Sequence, residues 1–211
     1  MFKDRADAGR RLAEALAAYA DVPGGLVVAL PRGGVVVGHE VSRALRLPLE
    51  VFIVRKIGYP GNPECAYAAV GETGMLHVTE EGRGFRSMPP GYLDECLAEQ
   101  KEEIRRRKLL YRGGQPFPPL AGRPVLLVDD GLATGATFEG AARALRDLKP
   151  KCLVGAVPVA PPETAERVRT QLDDFVVLDV PPFFMAVGQA FADFRQVDDA
   201  EVLRLLSRPC P

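Results

Sequence analysis

A chain of 211 residues with 47% apolar and 26% charged side chains has material for one sizeable folded domain, and its composition excludes a disordered, collagenous or coiled-coil protein. The formal net charge of −1 excludes binding to nucleic acid through overall charge, so no nucleic-acid partner is expected. Four scattered cysteines without a C-x-x-C pair, beside two histidines, favour reduced thiols over a disulfide framework or a Cys/His metal site.

The start, MFKDRADAGRRL, carries charge where a signal peptide needs an apolar core, and no run reaches the length of a membrane span; a cytoplasmic protein is expected. Ala8, Leu12, Ala15, Leu16 and Tyr19 then recur at helical spacing, which predicts an amphipathic helix over residues 4–20, ended by Pro23-Gly24-Gly25. Residues 26–30 form the first buried strand, and Pro31-Arg32-Gly33-Gly34 leads into a helix over residues 35–45. That turn reads two ways. It is either a tight connection with a solvent-facing arginine, or an anion site where helix-start N–H groups and the Arg32 fork meet phosphate oxygens.

Residues 49–54 are the next strand, ending in Arg55-Lys56 before a Gly/Pro/Asn-rich loop at 57–64. Basic residues at the carboxyl end of a parallel strand face the crevice where α/β sheets bind ligands, although two solvated charges are an equal alternative. Residues 66–71 and 75–79, around Glu72-Thr73-Gly74, predict a hairpin in which His77 is a hairpin residue. Residues 80–91 predict a loop able to act as a lid, and residues 92–111 a long helix. Its run Lys101 to Lys108 reads as a solvated face with Glu102–Arg106 and Glu103–Arg107 pairs, a subunit or RNA contact being the alternative.

Next comes PVLLVDDGLATGATFEGAARAL, from Pro124 to Leu145. Val125 to Val128 is too short and too apolar for anything but a strand buried on both faces. It stops at Asp129 and Asp130, and Gly131-Leu132-Ala133-Thr134-Gly135-Ala136-Thr137 turns into a helix marked by Ala141, Ala142, Leu145 and Leu148. Such a turn aims N–H groups, hydroxyls and a helix dipole at one point, which suits a phosphate. The carboxylates would repel that phosphate and instead suit sugar hydroxyls or a metal ion. An ordinary Asp-Asp-Gly turn with Thr137 as a helix cap explains each residue singly but not the group. No Walker lysine and no G-x-G-x-x-G occur here. Beyond it, residues 152–159 predict a strand, 162–172 a helix and 175–180 another strand, and Pro181-Pro182-Phe183-Phe184-Met185-Ala186-Val187-Gly188 breaks the alternation.

VLLVDDGLATGAT resembles the phosphoribosyl-diphosphate (PRPP) binding motif of the type I phosphoribosyltransferases, and PRGG resembles that family's diphosphate loop. The resemblance implies that Asp129 and Asp130 hold the ribose hydroxyls, that Gly131 to Thr137 cradle the 5′-phosphate, and that Arg32, Gly33, Gly34, Arg55 and Lys56 contact the diphosphate. It also implies an unusual peptide bond in the PRGG loop. Mg²⁺ is the implied cofactor, held mainly by ligand oxygens near Asp129 and Asp130. A hood built from the chain ends would cover the acceptor, with Phe184, Met185, Val187 and Asp193 nearest to it. Phe183 and Phe184 are equally readable as core residues. Met185 stands where purine-using members place a stacking aromatic, and Val157 where 6-oxopurine enzymes place a base-reading lysine, so the acceptor stays open between purine, pyrimidine and another amine.

The expected architecture is α/β: an open, mainly parallel doubly wound sheet with a small hood and a helical and hairpin insertion. Residues 1–211 form a single phosphoribosyltransferase-like domain, with 66–120 as hairpin, lid and long-helix insertion and 180–211 as hood or C-terminal extension. The expected activity is Mg-dependent displacement of diphosphate from PRPP by a nitrogenous acceptor such as a nucleobase, in nucleotide metabolism, with Asp129, Asp130, Lys56 and Arg32 as the catalytic set. The expected partners are PRPP, a small acceptor and a second copy of the chain as homo-oligomer, with no membrane. The rival is a PRPP- or nucleotide-sensing regulator that binds nucleic acid through Arg105 to Lys108 without turnover.

Overall fold

The apolar runs become the inner strands of a parallel sheet in the computed structural model, which describes residues 1–84 and 89–207. Helix α1 (Arg5–Ala15) starts at Asp4, whose carboxylate accepts from the Asp7 amide, and a 3-10 turn over Ala17–Tyr19 finishes the segment predicted as one helix. Strand β1 (Leu26–Ala29), helix α2 (Gly33–Leu45) and strand β2 (Leu49–Val51) follow. Then come β3 (Val54–Tyr59), β4 (Asn62–Gly71), β5 (Leu76–Val78), the short helix α3 (Glu80–Gly84) and the long helix α4 (Tyr92–Arg112). Alternation resumes with β6 (Pro124–Val128), α5 (Ala136–Asp147), β7 (Cys152–Val159), α6 (Pro162–Arg169) and β8 (Asp174–Asp179), and helix α7 (Asp199–Leu206) ends the order.

The main sheet runs β2-β1-β6-β7-β8, with every pair parallel. Its strands are apolar at successive residues because both faces are covered. Val27, Leu126, Val128 and Val154 face Leu12 of α1, Leu16 at its C-cap, and Val37 and Val41 of α2, whereas Leu26, Val28, Val125 and Leu127 face Phe138, Ala141 and Leu145 of α5. The fold is therefore the expected α/β class, with β1 and β6 central and their carboxyl ends side by side.

Three segments differ from the sequence reading. The strand predicted over 49–54 ends at Val51, and Val54 opens a second, antiparallel sheet of order β3-β4-β5. The Gly/Pro/Asn-rich stretch 57–64 is strand, not loop: its glycines mark irregular register at Ile57/Gly58 and Gly58/Tyr59 and the turn at Gly61, so composition was signalling a bulged hairpin. The predicted lid at 80–91 begins as α3, and residues 85–88 of it lie outside the described residues.

The small sheet is held on both faces. Ile104 and Tyr111 of α4 join Ile57, Ala68 and Val70 in one cluster, and a buried Arg112–Glu72 ion pair ties the end of α4 to the β4–β5 turn. On the opposite face α5 comes so close that a methyl at Gly140 would stand 2.9 Å from the Ala69 Cβ. The charged run on α4 is only partly the solvated face that was predicted. Glu103 pairs with Arg107 as expected, but Arg107 is buried, Glu102 pairs with Arg105, and Arg106 bridges Glu103 to Asp199 of α7. The chain ends also meet: the Phe2 amide donates to Ala190 at 2.7 Å, and Phe2 and Phe191 pack in one apolar cluster. Among the described residues no helix is long and apolar enough to cross a membrane.

The Gly140–Ala69 approach leaves no room for a branched side chain. Gly140→Val is expected to lower stability by about 1–3 kcal/mol, the usual cost of overpacking. Urea denaturation checks this, and an unchanged midpoint would contradict the described seating of the small sheet on α5.

Candidate active site

Because β1 and β6 are neighbours, the two loops singled out in the sequence leave the sheet together, and the Leu30 amide donates to the Val128 carbonyl at 3.0 Å just before they diverge. Arg32 precedes α2, and the Pro31–Arg32 peptide is cis. Beyond it, the two glycines press against the two acids. A methyl at Gly33 would lie 1.9 Å from Asp130 Oδ2, and one at Gly34 would lie 2.7 Å from Asp129 Oδ1. Glycine is thus required here by backbone approach. The starts of α2 and α5 flank the same edge, so two helix N-termini, both suited to anions, adjoin a pair of carboxylates.

The acids are unequal. Asp129 Oδ1 accepts the Asp130 amide at 2.8 Å. Asp130 is engaged by Arg5, whose Nε donates to Oδ2 at 2.6 Å while its Nη1 donates to the Arg195 carbonyl at 2.7 Å. The guanidinium also lies 3.7 Å over the Phe194 ring. Burial, and then the charge of Asp130, hold the Asp129 carboxyl well above its ordinary range. Burial raises Asp130 as well, against the opposing pull of Arg5. Arg5 is the residue the sequence reading missed, and 125 positions of separation left no local signal for it.

A cavity of about 200 Å³ is lined by Asp129, Gly131 to Thr137, Lys56 and Val187. It gathers residues from the end of β6, the turn before α5, the small sheet and the 3-10 turn that Val187 opens. Strand alternation separates the basic pair, because Lys56 shares its face with the cavity whereas Arg55 Nε donates to Gln100 of α4 at 2.9 Å. The carboxyl-end placement expected for both is replaced by a position within an antiparallel strand. Arg32 lies 3.8 Å from Asp199 Oδ1, and with Gly33, Arg5 and Phe194 it lines a neighbouring cavity of about 330 Å³.

The residues expected nearest an acceptor do not gather in one place. Met185 is 87% exposed and Phe183 92%, while Phe184 packs with the Phe2–Phe191 cluster. Asp193 accepts from the Arg195 amide at 3.1 Å and lines a different cavity from Val187. Helix α7 was not predicted, although Asp198 and Glu201 before Val202 and Leu205 form a legible capping signal, and the Asp198 carboxylate does accept from the Glu201 amide at 2.7 Å.

Among the described residues no three His, Cys, Asp or Glu side chains group as a metal cage. The adjoining oxygen donors Asp129 and Asp130 fit Mg²⁺ nonetheless, since that ion takes one or two carboxylates and completes its shell with phosphate oxygens and water.

Residues 3–188 match a family model described as phosphoribosyl transferase domain. Two Mycobacterium tuberculosis proteins, from strains CDC 1551 and H37Rv and provisionally named phosphoribosyl transferases, are each 39% identical over 208 residues. The match takes in 99% of this chain and 47% of theirs, so the chain spans about half the length of the curated relatives it matches. A crystal structure of TT1426 from Thermus thermophilus is 44% identical, with a TM-score of 0.80 over 97% of both chains.

The raised Asp129 has a measurable consequence. A carboxyl whose folded-state pKa is raised contributes stability that is full below its ordinary value of 3.8 and is lost as pH rises through the raised value. Asp129→Asn removes that loss. The ligand-free variant is expected to melt above wild type at about pH 7, with the gap closing toward about pH 4. Thermal melts across that range check the sign, and a gap that widens on acidification would contradict the crowding described.

Proposed function

This chain belongs to the phosphoribosyl transferase domain family, and from that membership we propose that it displaces diphosphate from PRPP with a nitrogenous acceptor. The observation that carries the reading is the single cavity shared by Asp129, the turn Gly131 to Thr137 and Lys56. The turn's N–H groups and the α5 N-terminus bind the 5′-phosphate, which fixes one end of the sugar. Asp129 accepts hydrogen bonds from the ribose hydroxyls, with Asp130 beside it set by Arg5. The leaving group lies toward Lys56 on one side and Arg32, Gly33 and Gly34 on the other. Arg55, turned toward α4, contributes charge at longer range.

Bond breaking at C1′ leaves oxocarbenium character on the sugar and negative charge on the departing diphosphate. Fixed cations that meet this charge as it grows stabilise the transition state more than the ground state, which is the condition for acceleration. Lys56 and Arg32 serve that role. Mg²⁺, when bound near Asp129 and Asp130, supplies further neutralisation of phosphate oxygens. No covalent nucleophile takes part, and the acceptor nitrogen approaches C1′ past Val187, the hood residue that reaches the cavity. The purine, pyrimidine or other amine nature of that acceptor is the variable to be determined. Nucleotide metabolism, a cytoplasmic location and a homo-oligomeric state belong to the same proposal.

The test is diphosphate release from PRPP and Mg²⁺ against a panel of bases and amines. Lys56→Ala is expected to lower kcat by about 10²–10³-fold, the usual cost of one preorganised charge-stabilising group. Asp129→Asn combined with Thr134→Ala is expected to abolish PRPP binding measured by calorimetry. Wild-type affinity in that double variant would overturn the assignment.

A further inference from the structure

The turn Gly131 to Gly135 is held from behind its own carbonyls. On α6, Thr164 and Arg167 stand one helical turn apart and so share a face. The Thr164 hydroxyl donates to the Ala133 carbonyl at 3.0 Å, and Arg167 Nη2 donates to the Thr134 carbonyl. Arg167 is itself fixed, since its Nε donates to Glu139 Oε1 at 2.7 Å. Glu139 belongs to the first turn of α5 and is 4% exposed. Its second oxygen lies 3.7 Å from His77 Nε2, a buried atom without a hydrogen-bond partner among the described residues.

This arrangement has a directional effect. In a planar trans peptide the C=O of one residue and the N–H of the next point in opposite directions. Carbonyls of Ala133 and Thr134 drawn toward α6 therefore turn the N–H groups of Thr134 and Gly135 the other way. Those two donors belong to the turn that lines the 200 Å³ cavity. A buried carboxylate that orients the arginine, and a hydroxyl on the same helix face, thus decide where the donors aim. Burial alone would raise the Glu139 carboxyl, but the nearby His77 and then Arg167 hold it below its ordinary range, so the arginine is matched by a charge.

The same network registers the small sheet. Lys56 pairs with Ala69, and Ala69 with His77, so the lysine and the histidine lie on one sheet face on either side of the alanine that touches Gly140. Glu139, one residue before Gly140, thus adjoins both the phosphate turn and the strand array that delivers Lys56.

We propose that Thr164, Arg167 and Glu139 form a clamp that aims the N–H groups of the 131–135 turn at a sugar 5′-phosphate, which makes them positioning residues for phosphorylated sugars. The proposal rests on the reading of that turn as the 5′-phosphate site. Its chemistry separates it from the diphosphate side of the site, where Arg32, Gly33 and Gly34 act without the clamp.

Calorimetry with ribose 5-phosphate and with inorganic diphosphate, each titrated alone, tests it on wild type, Arg167→Met, Arg167→Lys and Thr164→Val. Arg167→Met is expected to weaken ribose 5-phosphate about tenfold and leave diphosphate within about twofold. Arg167→Lys should recover part of the loss, because a lysine can reach one of the two acceptors but not fork between them. In turnover with PRPP the Arg167→Met change should fall on KM with kcat nearly kept, as for a uniform binding loss. Unchanged ribose 5-phosphate affinity in Arg167→Met overturns the clamp, and so does a parallel loss of both ligands, which marks general loosening. Absence of ribose 5-phosphate binding in the wild type would instead overturn the reading of the turn itself.

Discussion

Two glycines pressed against two carboxylates set the geometry of this molecule. Gly33 and Gly34 come so close to Asp130 and Asp129 that any side chain would collide with the acids, and that closeness brings the β1 and β6 loops into one site. Burying two carboxyls at the carboxyl edge of the sheet is unfavourable: burial raises both, and the charge of Asp130 adds to the rise of Asp129. The fold offsets part of it with Arg5, which pairs with Asp130, stacks on Phe194 and caps the Arg195 carbonyl. One side chain from the first helix thereby joins the acids to the segment around Phe194 and Arg195. Asp129 is left as the acid that faces the cavity.

The small sheet solves a different problem, which is how to deliver a cation to the same edge. It is clasped between α4 and α5, with the Arg112–Glu72 pair on one side and the Gly140–Ala69 contact on the other. Fixed neighbours on both faces of the sheet give Lys56 a defined base, although its own side chain is exposed. Alternation then assigns roles within a dipeptide: Lys56 belongs to the cavity and Arg55 to α4. A similar coupling ties Arg32 to Asp199, and Asp199 to Arg106 and Tyr111, so that the loop before α2, α4 and α7 share one polar cluster. The part of α4 that reads as a solvated charged face includes a buried Arg107 and, through the exposed Arg106, a bridge to α7.

The chemistry-bearing loops were legible because their meaning is local. A buried strand followed by two acids and a Gly/Thr turn needs only consecutive residues, and so does PRGG before a helix. The boundaries of β3 and β4 were misread because glycine and proline have two uses. They end strands in most contexts, but here they make a bulge and a turn inside a hairpin, and only pairing with Ala66 to Gly71 distinguishes the two. The residues expected nearest an acceptor are spread apart. Phe184, Met185, Val187 and Asp193 lie within ten residues, yet only Val187 reaches the cavity, because side-chain direction in an irregular segment is set by what it packs against.

The sequence by itself determined the α/β class, the burial of β1 and β6, and the placing of two acids and a Gly/Thr turn between β6 and α5, since periodicity and short motifs encode these within a few residues. Tertiary structure alone decided that Arg5 holds Asp130, that Lys56 and not Arg55 faces the cavity, and that Glu139 and Arg167 grip the turn from behind. Each of these depends on partners 28 to 125 positions apart, and no local pattern specifies which distant surfaces meet when a sheet twists and its helices settle onto it.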